Sequence, residues 1–263
     1  MSKVVVITGS SSGIGKNLKK MFEENGDIVI GLSRSESQSP TSFPCDLTDA
    51  EQIKTAFDFI GEKYGHVDIL VNNAGFGISG ATELVSENQI KNIFDVNLFG
   101  AITCTRLCLS LMDKNSKIIN ISSACALFPL PFRTLYCSSK SALNMLSQSW
   151  DLELRPFGIK VVSICPGDIK TNFTKNREKS FETNKRYDNR IKNATSYVDN
   201  RESKRMSIDT AVTKIFKICN KRNPKPMYII GAKYKLFYFG QKILPIRIFN
   251  GLIGKIFDGK KKK

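Results

Sequence analysis

Two side chains spaced by one helical turn could carry proton-transfer chemistry. Tyr136 and Lys140 lie in a stretch with helical periodicity, which places both on the same face of a helix. A tyrosine with its ordinary pKa of about 10 is a poor base at neutral pH, and a neighbouring ammonium group would lower that pKa toward the range of a general acid–base catalyst. A packed aromatic residue beside a solvated lysine would show the same spacing, so the pair needs support from other motifs.

A glycine-rich segment near the N terminus could bind a phosphate group. Residues 8–15 read Thr-Gly-Ser-Ser-Ser-Gly-Ile-Gly, after the apolar run Val4–Thr8 and before a helical pattern that begins at Gly13. Glycines allow a tight turn there, and the free N–H groups at the start of a helix favour an anion such as a pyrophosphate. The spacing, G-x-x-x-G-x-G, differs from the usual dinucleotide fingerprint. A plain turn would contain similar glycines, but the position after the first strand favours a dinucleotide site.

Alternating strand and helix patterns would position these motifs. Short apolar runs predict strands at residues 4–8, 28–32, 43–47, 67–72, 117–122, 160–165 and 227–230. Amphipathic patterns predict helices at residues 13–25, 49–63, 87–112, 134–155 and 207–219. This alternation predicts an α/β fold, a doubly wound parallel sheet with helices on both faces. We see no internal repeat and no linker, so we expect a single domain over residues 1–263.

Composition excludes several classes of protein. The 263 residues are 41% hydrophobic and 10% aromatic, which is enough for a core and excludes disordered and collagen-like chains. The seven cysteines form no C-x-x-C pair, so we expect reduced thiols in a cytoplasmic protein. A single histidine, His66, excludes a zinc site built on several imidazoles, and we expect no metal. The N-terminal apolar run is too short for a signal peptide, and no long uncharged apolar window predicts a membrane span.

The formal net charge of +16 is concentrated in two segments. Residues 170–206 contain 11 Lys/Arg and 5 Asp/Glu, and residues 225–263 contain 10 and 1, whereas the rest of the chain contains 19 and 18. The first segment interrupts the alternation of strands and helices. We expect it to form a lid over a substrate, although a solvated charged surface explains the same charge. No recognition motif accompanies the charge, so we expect no nucleic-acid partner.

The second basic segment, the tail at residues 233–263, has an amphipathic pattern. Apolar residues recur at helical spacing after Pro245, at Phe249, Leu252, Ile253, Ile256 and Phe257, and four lysines end the chain. The apolar face would pack against the body or a partner subunit. The same face with flanking lysines would also suit an anionic membrane surface, which makes peripheral membrane association the second possibility.

Six motifs in chain order resemble those of the short-chain dehydrogenase/reductase family, over nearly the whole chain. They are the glycine-rich turn; Asp46-Leu47; Asn72-Asn73-Ala74-Gly75; Asn97 in a helix; Ser122-Ser123 followed by Tyr136-Cys137-Ser138-Ser139-Lys140; and Pro166-Gly167-Asp168-Ile169-Lys170-Thr171. The resemblance implies a Rossmann-type fold that binds a nicotinamide dinucleotide and transfers hydride between the nicotinamide and a carbonyl or alcohol. Residues 73–80, the basic insertion and the length of the tail are similar to the hydroxysteroid/retinol dehydrogenase-like branch.

The resemblance also implies roles for individual residues. Ser123, 13 residues before Tyr136, would hold the substrate carbonyl, and Tyr136 would protonate its oxygen. Lys140 would assist Tyr136, and Asn97 would hold a water through its backbone in a proton relay. The implied cofactor-binding residues are Gly9, Ser11, Ser12, Gly13, Ile14, Gly15, Ser33, Arg34, Asp46, Leu47, Asn73, Ala74, Gly75, Tyr136, Lys140, Pro166, Gly167, Ile169 and Thr171.

The end of the second strand favours NADP(H) over NAD(H). A site specific for NAD places an acidic residue there for the ribose 2′-hydroxyl, but here the first acidic residue is Glu36. Arg34 can stack on adenine and pair with a 2′-phosphate, and the hydroxyls of Ser11, Ser12 and Ser33 could add hydrogen bonds.

The substrate is less well defined by the sequence. We expect a small apolar carbonyl or alcohol that is steroid-, retinoid- or lipid-like. A 3-oxoacyl thioester reductase or a non-catalytic dinucleotide sensor are the alternatives, and the family implies a homo-oligomer, a dimer or tetramer. Candidate pocket residues, which core packing would explain equally well, are Leu127, Phe128, Leu130, Phe132 and Phe173.

Overall fold

A sheet of seven parallel strands forms the centre of the fold, in a computed structural model that describes residues 2–35, 41–171, 178–179, 185–187, 189–199 and 205–257. The strands in chain order are β1 (Val4–Thr8), β2 (Ile28–Ser33), β3 (Ser42–Pro44), β4 (Ile69–Asn72), β5 (Ile78–Ser79), β6 (Lys117–Ile121), β7 (Lys160–Pro166), β8 (Glu178–Lys179) and β9 (Met227–Ile230). Strands β5 and β8 form a separate two-stranded sheet, and the other seven form the central sheet. The sheet order is β3-β2-β1-β4-β6-β7-β9, so the strand order reverses between β1 and β4. Ligands of such sheets bind at that reversal.

Helices cover both faces of the sheet, as the alternation predicts. They are α1 (Gly13–Glu24), α2 (Ala50–Tyr64), α3 (Glu87–Phe94), α4 (Gly100–Cys108), α5 (Thr134–Leu154), α6 (Arg190–Asp199), α7 (Ile208–Cys219), α8 (Ala232–Ile243) and α9 (Ile246–Phe257). Val4 and Val6 of β1 face a core built with α2 and α4, whereas Val5 and Ile7 face a core built with α1 and α7. Alternate residues of one strand therefore enter two cores, and the doubly wound α/β fold is confirmed.

The long helix predicted at residues 87–112 is interrupted. A π-helical turn at residues 95–99 separates α3 from α4, and a 3-10 turn at residues 109–111 follows α4. Residues 87–111 are the one helical stretch, within the described residues, with the length and apolar composition of a membrane span. Cys104 and Cys108 of this stretch are fully buried in the core, as in the core helix of a globular domain.

The helix that the sequence predicts after Pro245 is α9, and the tail contains a further helix, α8, that the sequence analysis did not predict. The break between α8 and α9 falls at residues 244–245, where Pro245 cannot continue a helix. Phe249 and Ile253 of α9 are each 4% exposed and pack against the body, while Leu252 remains 48% exposed. The predicted apolar face is thus divided between the body and the surface. The side chain of Phe257 and residues 258–263 lie outside the described part of the chain.

Candidate active site

The motifs predicted from the sequence meet in one cleft at the carboxyl end of the sheet. The cleft has a volume of about 540 Å³, and the turns that follow β1, β2, β4, β6 and β7 all reach it. The predicted site residues that line it are Gly9, Ser11, Ser12, Gly13, Ile14, Ser33, Arg34, Asp46, Leu47, Asn73, Ala74, Gly75, Ser123, Tyr136, Lys140, Pro166, Gly167, Ile169 and Thr171. Gly15 and Asn97 are not among the lining residues.

The glycine turn holds the start of α1 open toward the cleft. Gly9 has a φ of +66°, and a Cβ at this position would lie 2.8 Å from the Cα of Ala74. Gly13 has a φ of +54°, and a Cβ there would meet nothing within 4 Å among the described atoms. Ser12, the N-cap residue of α1, makes no hydrogen bond from its side chain to the first helical turn. The first N–H groups of α1 therefore fit a pyrophosphate at this point.

Gly15 closes the turn from behind, and its predicted contact with the cofactor is corrected. A Cβ on Gly15 would lie 2.3 Å from the carbonyl oxygen of Gly9 and 2.5 Å from Nδ2 of Asn73. That Nδ2 donates to the carbonyl oxygens of Thr8, at 2.9 Å, and Gly9, at 3.1 Å. Glycine is needed here because the backbone of the turn and the end of β4 approach each other closely.

Ser123, Tyr136 and Lys140, the residues that the family resemblance makes catalytic, all line the cleft. The Ser123 hydroxyl lies within hydrogen-bonding reach of the Tyr136 hydroxyl and lowers its pKa. Ser123 Oγ also accepts from the backbone N–H of Cys125 at 3.2 Å. Lys140 Nζ donates to the carbonyl oxygen of Ile121 at 2.9 Å. The three side chains are buried, which fixes their relative positions.

The expected lowering of the Tyr136 pKa by Lys140 is wrong in this structure. Burial, followed by the nearby Cys125 thiol, raises the pKa of Tyr136 above its ordinary value, and the hydrogen bond with Ser123 offsets only part of that rise. Burial also lowers the pKa of Lys140 to about 8. Both shifts have the same physical cause, because a low-dielectric environment disfavours the charged form of either group.

Asn97 positions the chain beside the catalytic group instead of lining the cleft. Its Oδ1 accepts from the backbone N–H of Phe76 at 3.0 Å, and its Nδ2 donates to the carbonyl oxygen of Phe76 at 3.0 Å and to Ser139 Oγ at 3.1 Å. A Cβ on Gly75 would lie 2.8 Å from Asn97 Oδ1 and 3.1 Å from Lys140 Nζ. Asn97 thus ties the segment after β4 to α5. Its predicted relay through a backbone-bound water stays a prediction.

The end of β2 presents Arg34 to the cleft, as the cofactor argument requires. Ser11 and Ser12 are exposed beside the same cleft. Ser33 also lines the cleft, where its hydroxyl donates to the carbonyl oxygen of Ser35 at 3.0 Å, and its predicted hydrogen bond to a 2′-phosphate stays a prediction. Residues 36–40, which include Glu36, lie outside the described residues.

Several lining residues of the cleft escaped the sequence argument, and among them Tyr234 and Arg133 carry a hydroxyl and a charged group that shape the site. Tyr234 of α8 covers Gly167, where a Cβ would lie 2.0 Å from its ring, and its hydroxyl donates to Asp168 Oδ2 at 2.5 Å. Arg133 lines the cleft although it is only 9% exposed. Its position three residues before Tyr136, on the same helix face, was the available signal.

The predicted apolar pocket residues have different surroundings. Leu127, Phe128 and Leu130 are buried in a cluster with Phe249 and Ile253 of the tail, so core packing is the correct interpretation for them. The ring of Phe132 makes an edge contact with Tyr187 of the basic insertion, with centroids 5.9 Å apart. Phe173 lies outside the described residues.

Comparisons with known proteins agree with this arrangement. The family model described as short chain dehydrogenase matches residues 3–181. The chain is 34% identical over 247 residues to a 3-ketodihydrosphingosine reductase of Bacteroides thetaiotaomicron, with 91% of this chain and 92% of that protein covered. A solved short-chain dehydrogenase of Streptomyces avermitilis is 27% identical with a TM-score of 0.82, covering 96% of this chain and 95% of that one. The structure of ElxO with NADP bound is 25% identical with a TM-score of 0.73, covering 90% of this chain and 100% of that one. The chain therefore belongs to the short-chain dehydrogenase/reductase family of oxidoreductases.

Proposed function

We propose that the protein is an NADPH-dependent reductase of a lipid-like ketone or aldehyde, and an alcohol dehydrogenase in the reverse direction. The observation that carries the proposal is the buried Ser123–Tyr136 hydroxyl pair beside Lys140, in the same cleft as the open N terminus of α1. A dinucleotide sensor needs the second feature but has no use for the first.

The catalytic group acts on the carbonyl oxygen of the substrate. Ser123 donates a hydrogen bond to that oxygen, and Tyr136 donates the proton as the oxygen gains charge. The raised pKa of Tyr136 keeps it a phenol at neutral pH, so the proton is present when reduction begins. Nicotinamide, when bound, supplies hydride to the carbonyl carbon. Lys140 uses one N–H for the carbonyl oxygen of Ile121, which leaves two donors for the cofactor or for Tyr136.

The preference for NADP(H) rests on Arg34 at the end of β2. A guanidinium group in this position suits a 2′-phosphate better than a 2′-hydroxyl. We expect Arg34→Ala to weaken NADPH binding and to leave NADH binding within about twofold, measured by fluorescence titration. Equal affinity of the wild-type protein for NADH and NADPH, or an unchanged preference in the variant, contradicts this choice of cofactor.

The basic insertion acts as the substrate lid in this proposal. Ile78 and Ser79 of β5 pair with the insertion strand β8. Arg186 forms an ion pair with Glu83 at 2.9 Å, and Tyr187 contacts Phe132. The described parts of the insertion therefore lie against segments next to the cleft. A lipid-like substrate is further supported by the relative named for 3-ketodihydrosphingosine.

Reduction of matched carbonyl compounds tests the reaction. We expect NADPH oxidation with long-chain ketones and aldehydes, and a loss of at least about a hundredfold in kcat with Ser123→Ala. Ser122→Ala is the matched control. It removes the same group from the neighbouring residue, but the Ser122 hydroxyl donates to the carbonyl oxygen of Lys140 and not to the substrate. Reduction restricted to 3-oxoacyl thioesters favours the alternative substrate class. Tight NADPH binding with no turnover of any carbonyl compound favours the sensor.

The outer face of the tail suits an anionic membrane surface, and we propose that the protein is cytoplasmic and associates peripherally with such a membrane. The large apolar side chains that α8 and α9 expose are Leu236, Phe239, Ile243, Ile246, Ile248 and Leu252. Residues 225–257 contain six basic and no acidic residues, so the surrounding charge is complementary to anionic lipids. Since Tyr234 of α8 lines the cleft, a bound membrane would lie near the entrance for a lipid-like substrate.

Vesicle co-sedimentation tests this surface. The full chain should bind vesicles that contain phosphatidylserine more strongly than phosphatidylcholine vesicles, and Leu236→Ser with Phe239→Ser should abolish the difference. Both residues are exposed, so the fold should tolerate the changes. If the double variant sediments with phosphatidylserine vesicles as strongly as the wild-type protein does, the result contradicts a membrane role. A concentration-dependent dimer that dissociates in the same variant assigns the surface to a second copy of the chain and to the homo-oligomer expected from the family.

A further inference from the structure

Arg133 is a buried cation in the wall of the catalytic cleft. It is 9% exposed and is the N-cap residue of α5, one turn before Tyr136. The residue before it, Phe132, has a φ of +60°, a left-handed conformation that residues with a side chain rarely adopt. The carbonyl oxygen of Phe132 accepts from the N–H of Gly80 at 2.9 Å, which helps to hold this conformation. The chain is therefore fixed at the point where Arg133 enters the cleft.

The guanidinium group of Arg133 is incompletely paired. Its Nη1 contacts Cys125 Sγ at 3.9 Å, which is a long and weak hydrogen bond. Its Nη2 has no hydrogen-bond partner within the described part of the chain. Asp168, a carboxylate that lines the same cleft, already accepts from the Tyr234 hydroxyl. A buried guanidinium group without a full set of acceptors is costly unless a ligand supplies them.

Several groups around Arg133 respond to its charge. The pKa of Cys125 is lowered to about 6 by the hydrogen bond from the Cys137 thiol and then by the charge of Arg133. The same charge acts on Tyr136, although burial dominates there and the pKa of Tyr136 is raised. Arg133 Nη1 lies 3.9 Å from Cys125 Sγ, and the N–H of Cys125 donates to Ser123 Oγ at 3.2 Å. Arg133, Ser123 and Tyr136 also line the same cleft, so one small molecule can touch all three.

We infer that Arg133 anchors the substrate by binding an acceptor oxygen, a carboxylate or an ester carbonyl, carried by the same molecule as the reacting carbonyl. This inference rests on the proposed reductase function and narrows its substrate to oxo acids and their esters. An amino ketone such as a sphingoid base is disfavoured, because its ammonium group would meet a buried cation. Arg133 is a specificity-determining residue, so its loss should raise KM more than it lowers kcat.

A set of ketones with the same alkyl chain tests the inference. The probes are 3-oxododecanoate, its methyl ester, the neutral 4-tridecanone and the cationic 2-amino-1-hydroxydodecan-3-one. We expect the wild-type KM to be lowest for 3-oxododecanoate. Arg133→Met should raise that KM by roughly tenfold or more and change the KM for 4-tridecanone by less than about twofold. Arg133→Gln, which keeps neutral donors, should retain more affinity for the ester than for the acid.

Other outcomes overturn the inference. If the wild-type KM is equal for 3-oxododecanoate and 4-tridecanone, the inference is wrong, and this result does not depend on whether the variants fold. A wild-type preference for the amino ketone also overturns the inference. If no ketone is reduced at all, the proposed function fails. Calorimetric binding of 3-hydroxydodecanoate to the protein saturated with NADP then still tests Arg133, because equal binding by wild type and Arg133→Met removes the anchor.

Discussion

The glycine turn has two roles, binding a pyrophosphate at Gly13 and allowing close backbone packing at Gly15. Alanine substitutions at these two positions separate the roles, and Gly26, outside the turn, serves as the control. Gly13 and Gly26 both have positive φ, +54° and +82°, and both have open space around a Cβ, so each alanine costs only the left-handed backbone, about 1 kcal/mol. Alanine at Gly15 places a methyl group 2.3 Å from the backbone oxygen of Gly9. Moving the turn away would weaken two hydrogen bonds of Asn73, at about 1 kcal/mol each, and add overpacking of about 1–3 kcal/mol. We expect Gly15→Ala to lose roughly 3–5 kcal/mol of stability.

The assays are urea unfolding and NADPH titration. The single tryptophan, Trp150, packs against the core and reports unfolding by fluorescence. Gly13 lies where we expect a pyrophosphate, so Gly13→Ala should unfold like Gly26→Ala but bind NADPH roughly ten to a hundred times more weakly. Equal NADPH affinity in those two variants, or a Gly15→Ala protein as stable as Gly26→Ala, would refute this assignment.

Three further predictions concern side chains in and around the cleft. Asn97→Asp replaces the amide that donates to the carbonyl oxygen of Phe76 and should lower the free energy of unfolding by about 2–4 kcal/mol in urea denaturation; unchanged stability contradicts the positioning role. Because the pKa of Lys140 is lowered to about 8, the unfolded chain binds more protons than the folded chain between about pH 8 and the ordinary lysine pKa. The stability of the wild-type protein relative to Lys140→Met should therefore rise from pH 7.5 to pH 9.5. A difference in free energy of unfolding between the two proteins that stays constant over this range contradicts the lowered pKa of Lys140. Tyr234→Phe loses the hydrogen bond to Asp168 but keeps the ring, and calorimetry should show a Tm lower by about 2–6 °C; an equal Tm means that the bond does not stabilise the tail.

Much of the fold follows from local patterns in the sequence. Val4–Thr8 is apolar on both faces because helices cover both sides of the sheet, and the glycine turn follows directly from that strand. The π-helical turn is different, because the side chain of Asn97 bonds the backbone of Phe76, which is distant in sequence. Helix α8 has no single apolar stripe, because Phe237 and Tyr238 pack against the body whereas the adjacent Phe239 is exposed. These features are set by tertiary contacts that periodicity does not encode.

In the candidate site, too, some features follow from sequence motifs and others depend on tertiary contacts. The family motifs identified most of the lining residues because the motifs that end strands meet at one edge of the sheet, and α5 brings Tyr136 and Lys140 to the same edge. They did not predict the raised pKa of Tyr136, because burial is a property of the folded chain. They also missed Arg133 and Tyr234, which belong to no family motif and whose residue types are usually exposed or half-exposed.

The reaction catalysed by Tyr136 is tested most directly by its replacement with phenylalanine. Tyr136→Phe removes only the hydroxyl beside that of Ser123, so NADPH binding should stay within about threefold of the wild-type value. Proton donation to the carbonyl oxygen is lost, and kcat for NADPH oxidation by a ketone that the wild-type protein reduces should fall by at least about a hundredfold. A Tyr136→Phe protein that binds NADPH normally and reduces the ketone at the wild-type rate would contradict the assignment of Tyr136 as the acid.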